Sequence, residues 1–182
     1  MAEERTESTL IAAAKQADTA AFEKLVRAHG GAVYAHALRF FGDTATAEDI
    51  VQEVFLRVYR SLATFDGTAA FSTWLFRVTR NACLDELRRG KRRPVPVDPV
   101  DLVLPSTPDH ASFVIDATVV EQAMRALQPE DREALGAVAL FGMSYAEAGD
   151  ALGVPVGTVK SRAFRARRTL AVLLGMSGGD GS

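Results

Sequence analysis

The feature that most constrains the fold of this chain is a proline-rich, acidic segment near its middle. Five of the seven prolines fall between positions 94 and 108, and positions 94–118 hold four aspartates but no lysine or arginine. Proline fixes φ and removes a backbone donor, so this stretch can form neither a helix nor a central strand. The sequence therefore predicts an extended acidic linker over 94–117. It separates a domain over 1–93 from a second one over 118–175, with a flexible tail at 176–182.

Both flanks of the linker are predicted to be helical. Apolar residues recur at helical spacing, and no segment shows the sustained alternation that a half-buried strand needs. The periodic stretches before the linker are 9–15, 19–41, 47–62 and 71–92, and those after it are 117–127, 130–141, 145–152 and 155–174. The expected fold class is all-α, with two small helical domains.

Composition excludes several classes of protein. Cys83 is the one cysteine among 182 residues, which rules out an internal disulfide framework and fits a reducing compartment. No apolar stretch approaches the roughly 20 residues that span a bilayer. Residues 1–8 are polar and lack the apolar core of a signal peptide. A cytoplasmic protein without membrane insertion is expected.

Basic residues are concentrated in two places, although the formal net charge is −2. Ten of the 21 lysines and arginines lie in two runs: Arg88, Arg89, Lys91, Arg92 and Arg93, and Lys160, Arg162, Arg165, Arg167 and Arg168. Local positive charge attracts a phosphate backbone, because neutralised phosphates release their counterions. Two separate runs indicate two contacts with one polyanion.

The second run lies on a helix that follows a turn signal. Gly153 and Pro155 mark a helix stop and restart after 144–151, which is typical of a helix-turn-helix motif. One stripe of the final helix is apolar and predicted to be packed: Val156, Val159, Ala163, Ala166, Leu170 and Leu173. The remaining faces carry the candidate duplex-binding residues: Thr158, Lys160, Ser161, Arg162, Arg165, Arg167 and Arg168. The alternative is an arginine-rich face exposed only to solvent.

The helix predicted over 47–62 presents a face suited to another protein. Its outward residues are Asp49, Gln52, Glu53, Leu56 and Arg60. An apolar side chain framed by charged and amide groups resembles a small binding hot spot with a polar rim. Asp49 and Glu53 also have the spacing of metal ligands, but no histidine or cysteine joins them, so no metal is expected.

The helix predicted over 71–92 carries the features of a single-strand binder. Trp74, Arg77, Asn81 and Arg88 share one stripe and offer stacking, phosphate pairing and base-edge hydrogen bonds. Core packing is the alternative for Trp74. The preceding loop, 63–70, is either a simple turn or the wall of a pocket for an unstacked base. The full candidate set is Phe65, Trp74, Arg77, Asn81, Arg88, Arg89, Lys91, Arg92 and Arg93.

Nothing in the sequence indicates catalysis. His29, His36 and His110 have no metal-spaced cysteine or carboxylate partners, and His29 and His36 are expected to form a surface pair. No phosphate-cradling glycine loop or nucleophile motif occurs. No catalytic residue and no cofactor is expected, and Cys83 is expected on a buried stripe.

Three segments resemble one family. Residues 47–56 (AEDIVQEVFL) resemble the polymerase-binding helix of bacterial sigma factors. The segments FSTWL at 71–75, RNACLD at 80–85 and Arg88-Arg89 resemble their promoter-melting helix. GTVKSR at 157–162, followed by Arg165-Ala166-Arg167, is similar to their minus-35 recognition helix. The short linker leaves no room for a middle domain, which is typical of the extracytoplasmic-function (ECF) subgroup.

That resemblance implies a transcription initiation factor built from sigma regions 2 and 4. Asp49, Gln52, Glu53 and Leu56 would face the clamp helices of the polymerase β′ subunit, and the β flap would be a further contact. The 65–70 loop and Asn81 would capture a flipped minus-10 base, and the linker would enter the polymerase. Promoter DNA and an anti-sigma factor are the other implied partners. The alternative is a LuxR-type DNA-binding regulator, which has a similar final helix.

The chain departs from the family pattern at two positions. Glu147-Ala148-Gly149 stands where Glu-Ile-Ala is usual, and Gln128-Pro129 where Leu-Pro is common. A glycine inside a helix costs about 1 kcal/mol relative to alanine. The sequence therefore predicts a loosely packed second domain at Gly149.

Overall fold

The computed structural model of the protein describes residues 2–90, 123–124 and 126–174. Within those ranges the chain is helical and has no strand, which confirms the all-α expectation. The helices are α1 (Ala2–Lys15), α2 (Thr19–Phe41), α3 (Thr44–Ser61), α4 (Phe71–Gly90), α5 (Pro129–Ala139), α6 (Tyr145–Leu152) and α7 (Val156–Leu173). A single 3₁₀ turn, Leu62–Thr64, follows α3.

Helices α1–α4 form the amino-terminal unit. The chain reverses between α2 and α3 because Gly42 takes a left-handed conformation (φ 74°) and Asp43 caps α3 by accepting a hydrogen bond from the Thr46 amide at 2.8 Å. Asp18 caps α2 in the same way through the Ala21 amide at 3.0 Å. The helices enclose a core of large apolar side chains: Leu25, Val33, Val54, Val58, Phe71, Leu75 and Phe76.

Helices α5–α7 form the carboxy-terminal unit. Ser144 and Glu147 make a reciprocal capping box at the start of α6, with hydrogen bonds of 3.2 and 2.9 Å between the side chain of each and the backbone amide of the other. Gly153 ends α6 in a left-handed conformation (φ 69°). Val159, Ala163 and Ala166 of α7 are fully buried against this unit. The stop-and-restart signal in the sequence therefore forms a helix-turn-helix.

The expectation that Gly149 loosens the second domain was wrong. A Cβ placed on Gly149 would lie 2.9 Å from the Val154 carbonyl oxygen, a distance that packed side chains do not tolerate. The Gly149 carbonyl accepts hydrogen bonds from the amides of Gly153 and Val154, the latter at 3.0 Å. Glycine lets the turn fold back tightly onto α6, so its packing role outweighs its low helix propensity.

The two units pack directly on each other. Phe141, just beyond α5, meets Phe76 of α4 and His36 of α2 at ring-centroid distances of 5.2 and 5.8 Å. Arg80 and Glu133 form an ion pair across the junction at 3.1 Å, and Thr73 donates a hydrogen bond to Glu147 at 3.2 Å. The apolar core is therefore continuous between the two units.

Several sequence expectations need correction at their edges. Helix α1 begins at Ala2 rather than at residue 9, and the Val156 and Leu173 side chains, assigned to the packed stripe of the final helix, are 40% and 47% exposed. His36 is buried, so the expected surface pair with His29 does not form. Lys91, Arg92, Arg93, the linker 94–117, His110 and the tail 176–182 lie outside the described residues.

Candidate nucleic-acid and protein interfaces

The outward face of α3 holds the residues that the sequence predicts for protein binding. Asp49, Gln52, Leu56 and Arg60 are exposed, and Leu56 is 50% accessible despite being apolar. The opposite face is buried because Ala47, Ile50, Val54, Phe55 and Val58 follow helical spacing. The α3 surface is therefore an exposed apolar centre within a charged rim.

Glu53 differs from the rest of that face because it is already paired. Arg57 donates to the Glu53 carboxylate at 2.7 Å and to the Asp85 carboxylate of α4 at 2.9 Å. These hydrogen bonds raise the pKa of Arg57, and the bond from Arg57 lowers the pKa of Asp85. Glu53 thus contributes to joining α3 to α4 as well as to the rim.

Sequence reasoning missed Tyr59 on the same surface. Its side chain is 54% exposed, three residues after Leu56, and its ring meets the edge of Phe22 at 5.2 Å. The signal was present in the sequence, because Tyr59 falls outside the apolar stripe of α3 and tyrosine is enriched at protein interfaces.

The α4 stripe is exposed along most of its length. Arg77, Asn81, Arg88 and Arg89 face solvent, and Trp74 is half-buried against the core. Arg88 and Arg89 pair with Asp85 and Glu86 of their own helix at 3.2 and 2.9 Å. Within the described part of the chain, Arg77 and Asn81 make no side-chain hydrogen bond, so both can bind a ligand without breaking an internal contact.

Phe65 is placed differently from the expectation. Its side chain is 7% exposed and its ring packs against Phe71 and Trp74 at 5.6 and 5.4 Å. In this position the Phe65 ring packs between the 65–70 loop and α4, and it is too buried to stack on a base. Three aromatic residues spaced along the sequence as here form a cluster that local pattern alone does not reveal.

The exposed face of α7 carries most of the expected duplex-binding residues. Lys160, Ser161, Arg165, Arg167 and Arg168 are exposed, whereas Thr158 and Arg162 are half-buried. Within a helix-turn-helix, the amino-terminal part of the second helix is the part that approaches base edges. The structure therefore presents ammonium, hydroxyl and guanidinium groups along one accessible helix.

Three cations of α7 have partners inside the unit. Arg165 donates two hydrogen bonds to the Asp131 carboxylate of α5, at 2.7 and 3.1 Å, and these raise the pKa of Arg165. Arg167 donates to the Tyr145 hydroxyl at 3.1 Å, and the Lys160 ammonium lies 5.8 Å from the Tyr145 ring centre. Arg165 and Asp131 are far apart in sequence, so this pairing was not expected.

Phe164 is a second residue that sequence reasoning missed. It is 65% exposed and lies among the cations of α7. An apolar side chain at such a position can contact the methyl group of thymine in a major groove. Its place outside the packed stripe of α7 was the available signal.

Two further titratable groups of the described residues are buried in the core. Burial lowers the pKa of His36 to about 4 and raises the pKa of the Cys83 thiol to about 12. The described residues contain no group of three or more histidine, cysteine or acidic side chains that could hold a metal ion. No helix within the described ranges is both long enough and apolar enough to cross a membrane.

Comparison with known proteins identifies the family. Residues 25–93 match Sigma-70 region 2 and residues 118–170 match Sigma-70, region 4. The ECF RNA polymerase sigma factor SigM of Mycobacterium tuberculosis is 40% identical, over 94% of this chain and 86% of its own length. The RNA polymerase sigma-H factor of Pseudomonas aeruginosa is 32% identical over 93% and 94%.

Solved structures agree with these relatives. The sigma factor RpoE of Bartonella quintana, in complex with the anti-sigma factor NepR, is 26% identical with a TM-score of 0.72 over 86% of this chain and 98% of its own. CnrH, in complex with the cytosolic domain of CnrY, is 28% identical with a TM-score of 0.68 over 95% and 99%. The chain belongs to the extracytoplasmic-function group of sigma-70 family sigma factors.

Proposed function

We propose that this sigma factor directs core RNA polymerase to promoters through three surfaces. The exposed face of α3 binds the β′ clamp helices, the α4 stripe holds the melted minus-10 strand, and α7 reads the minus-35 duplex. The observation that carries the proposal is the pair of exposed helix faces, each bearing arginine, one beside an aromatic cluster and the other within a helix-turn-helix.

The α3 surface suits a helical protein partner. Leu56 and Tyr59 form an apolar centre, and Asp49, Gln52 and Arg60 provide a polar rim. Glu53 stays paired with Arg57, so we assign it a shared role in binding and in fixing α3 to α4.

The α4 stripe supplies the groups that an unpaired strand needs. Arg77 pairs with phosphates, Asn81 bonds a base edge, and Trp74 offers an aromatic edge beside the 65–70 loop. Arg88 and Arg89 extend the positive charge, and Lys91, Arg92 and Arg93 would continue it. Flipping a base costs a few kcal/mol, which contacts in the pocket must offset.

The α7 surface reads duplex DNA. Ser161 and Arg162 lie in the part of a recognition helix that meets bases, and Arg168 is further along the helix, while Lys160 and Arg167 extend toward phosphates. Arg165 has a double role, because its guanidinium is held by Asp131 yet remains 58% exposed. Phe164 is added to this set as a candidate thymine contact.

The protein acts in the bacterial cytoplasm, without catalysis of its own. Its partners are core polymerase, including the β flap, promoter DNA and an anti-sigma factor that covers the polymerase-binding faces. Support for an anti-sigma partner comes from the RpoE structure, which is a complex with the anti-sigma factor NepR. A LuxR-type regulator is not favoured, because residues 25–93 match Sigma-70 region 2.

Promoter binding with and without core polymerase tests the proposal. We expect weak duplex binding by the free protein and specific binding and run-off transcription by the reconstituted holoenzyme. Equal promoter affinity in the two states would show that the protein acts as an independent DNA-binding regulator.

A further inference from the structure

The 65–70 loop, which faces the proposed minus-10 pocket, is held at both ends. At its far end the Ala70 carbonyl accepts hydrogen bonds from the Thr73 and Trp74 amides, at 3.0 and 3.1 Å, as α4 begins. At its near end the Phe65 ring is buried against Phe71 and Trp74. Between these anchors, Asp66, Gly67 and Thr68 are exposed. The position of this exposed segment therefore depends on how Phe65 is fixed.

Lys15 fixes Phe65 from a different helix. Its ammonium, at the last turn of α1, donates a hydrogen bond to the Phe65 carbonyl oxygen and lies 5.6 Å from the centre of the Phe65 ring. One cation thus holds the residue through both its backbone and its side chain. Charge-assisted hydrogen bonds are the stronger class, and a cation within about 6 Å of a ring centre adds attraction.

Helix α1 is packed against the core of the amino-terminal unit. Its position therefore fixes Lys15, and Lys15 in turn fixes the start of the loop. Ile11 and Ala14, on the turn before Lys15, are buried in the core of the amino-terminal unit. After Lys15 the chain turns through Ala17, which has a positive φ of 64°, and enters α2 at its Asp18 cap. The backbone position of Lys15 is therefore fixed by α1, and its ammonium is fixed by the contacts with Phe65.

The loop is ordered locally once Phe65 is fixed. The Asp66 carboxylate accepts hydrogen bonds from the Thr68 amide and hydroxyl at 3.0 and 2.8 Å. Gly67 has a φ of 76°, which only glycine adopts without strain. These local bonds order the turn next to Phe65, so a shift at Phe65 changes the position of Asp66, Gly67 and Thr68 relative to Arg77 and Asn81.

We infer that Lys15 is a positioning residue for minus-10 recognition: it sets the geometry of the 65–70 loop and thereby the fit of the captured base. The inference rests on the proposed function and extends it to α1, which lies outside the Sigma-70 region 2 match at residues 25–93. A pocket held in shape before binding loses less free energy when it orders around a base.

The test compares holoenzymes carrying wild-type, Lys15→Met, Lys15→Arg and Lys24→Met proteins. Methionine keeps most of the aliphatic stem and removes the ammonium. Lys24 is an exposed lysine on α2 that makes no hydrogen bond or cation–ring contact with the loop, so Lys24→Met removes the same charge without altering the contacts of Lys15 with Phe65. Run-off transcription is measured on promoters with each base substituted across the minus-10 element, and on one with an altered minus-35 element.

We expect Lys15→Met to reduce the preference for the cognate minus-10 bases about three- to tenfold, which corresponds to the net contribution of one ordinary hydrogen bond. The loss of run-off transcription caused by altering the minus-35 element should stay near the wild-type value. So should the affinity for core polymerase and the melting temperature. Lys15→Arg should restore most of the preference, and Lys24→Met should match wild type.

Unchanged minus-10 preferences in Lys15→Met would overturn the inference. So would an equal loss on every promoter together with a lower melting temperature, because that indicates a general structural role. If wild-type holoenzyme itself shows no minus-10 preference, the proposed function fails rather than the assignment of Lys15.

Discussion

The two candidate DNA-binding helices differ in the internal partners of their polar side chains. On α4, Arg77 and Asn81 make no side-chain hydrogen bond within the described residues, and Arg88 and Arg89 pair only with neighbours on the same helix. On α7, Arg165 is bound by the Asp131 carboxylate, and Lys160 and Arg167 contact Tyr145. The α7 surface is fixed by its own unit, whereas the α4 surface is left open.

That difference suits the two kinds of DNA. A duplex groove has a regular shape, so side chains held in advance lose little entropy on binding it. An unpaired strand varies in shape, and free side chains can adjust to it. We therefore expect substitutions of the internally paired residues of α7 to affect both stability and DNA binding, and substitutions of Arg77 and Asn81 on α4 to affect DNA binding alone.

The junction between the two units should weaken in acid because of His36. Burial lowers its pKa from the usual 6.5 to about 4, so between those values the unfolded chain binds a proton that the folded chain does not. The free energy of unfolding should fall as the pH drops through this window, by about 3 kcal/mol in total. Denaturation of wild-type and His36→Phe proteins from pH 7 to 4 measures the difference.

The aromatic replacement fits a site where His36 already meets Phe40, Phe76 and Phe141. The contribution of His36 is the part of the pH dependence that disappears in His36→Phe. Identical pH profiles for the two proteins would contradict its burial as a neutral ring.

Arg165→Ala should cost stability as well as minus-35 binding. It removes two hydrogen bonds from the Asp131 carboxylate, whose side chain is only 9% exposed, so the free energy of unfolding should fall. Arg168→Ala is the matched control, because Arg168 is exposed and contacts no carboxylate within the described ranges. Chemical denaturation together with minus-35-dependent run-off transcription separates the two effects. Equal stability of both variants would show that the Arg165–Asp131 pair does not stabilise the protein, and α7 would then not differ from α4 in this respect.

Gly149→Ala should destabilise the carboxy-terminal unit by about 1 kcal/mol net. The new methyl group meets the Val154 carbonyl oxygen at 2.9 Å, and the resulting strain of about 1–3 kcal/mol exceeds the helix propensity gained. Gly31→Ala in α2 is the control, since nothing lies within 4 Å of its added methyl group and propensity alone should stabilise it. Thermal denaturation compares them, and a stabilised Gly149→Ala protein would disprove the close approach.

Arg77→Ala and Asn81→Ala should leave stability within about 0.5 kcal/mol of wild type, as exposed positions without partners generally do. Open-complex formation on a minus-10 promoter should nevertheless fall, because a phosphate contact and a base-edge contact are lost. Permanganate footprinting of unpaired thymines measures the opening. If Arg77→Ala or Asn81→Ala lowered the stability as much as Arg165→Ala, the side chains of α4 would contribute to stability as those of α7 do.

Local signals predicted much of this fold. Helix α2 begins and ends where the sequence indicated, at Thr19 and Phe41, because Asp18 and Gly42 are strong capping residues. The buried stripe of α3 and the helix-turn-helix also follow from spacing and turn chemistry. These features depend on residues within a few positions of each other.

Contacts between distant parts of the chain could not be predicted in this way. The Arg165–Asp131 pair joins two helices, Phe65 is buried by residues of α4, and His36 is enclosed by Phe76 and Phe141. Gly149 looked unfavourable because helix propensity is a local quantity, whereas its role depends on the carbonyl of Val154 across a turn. The helical pattern places Tyr59 and Phe164 outside the buried stripes of their helices, so their exposure follows from the sequence.

We propose that α4 and α7 read different promoter elements. Run-off transcription with core polymerase should be measured for Arg77→Ala/Asn81→Ala and Arg168→Ala proteins on promoters altered in either the minus-10 or the minus-35 element. We predict that the α4 variant becomes insensitive to minus-10 changes yet still requires the minus-35 element, and that the α7 variant shows the reverse. Loss of sensitivity to both elements in either variant, or the opposite pairing, would contradict the account.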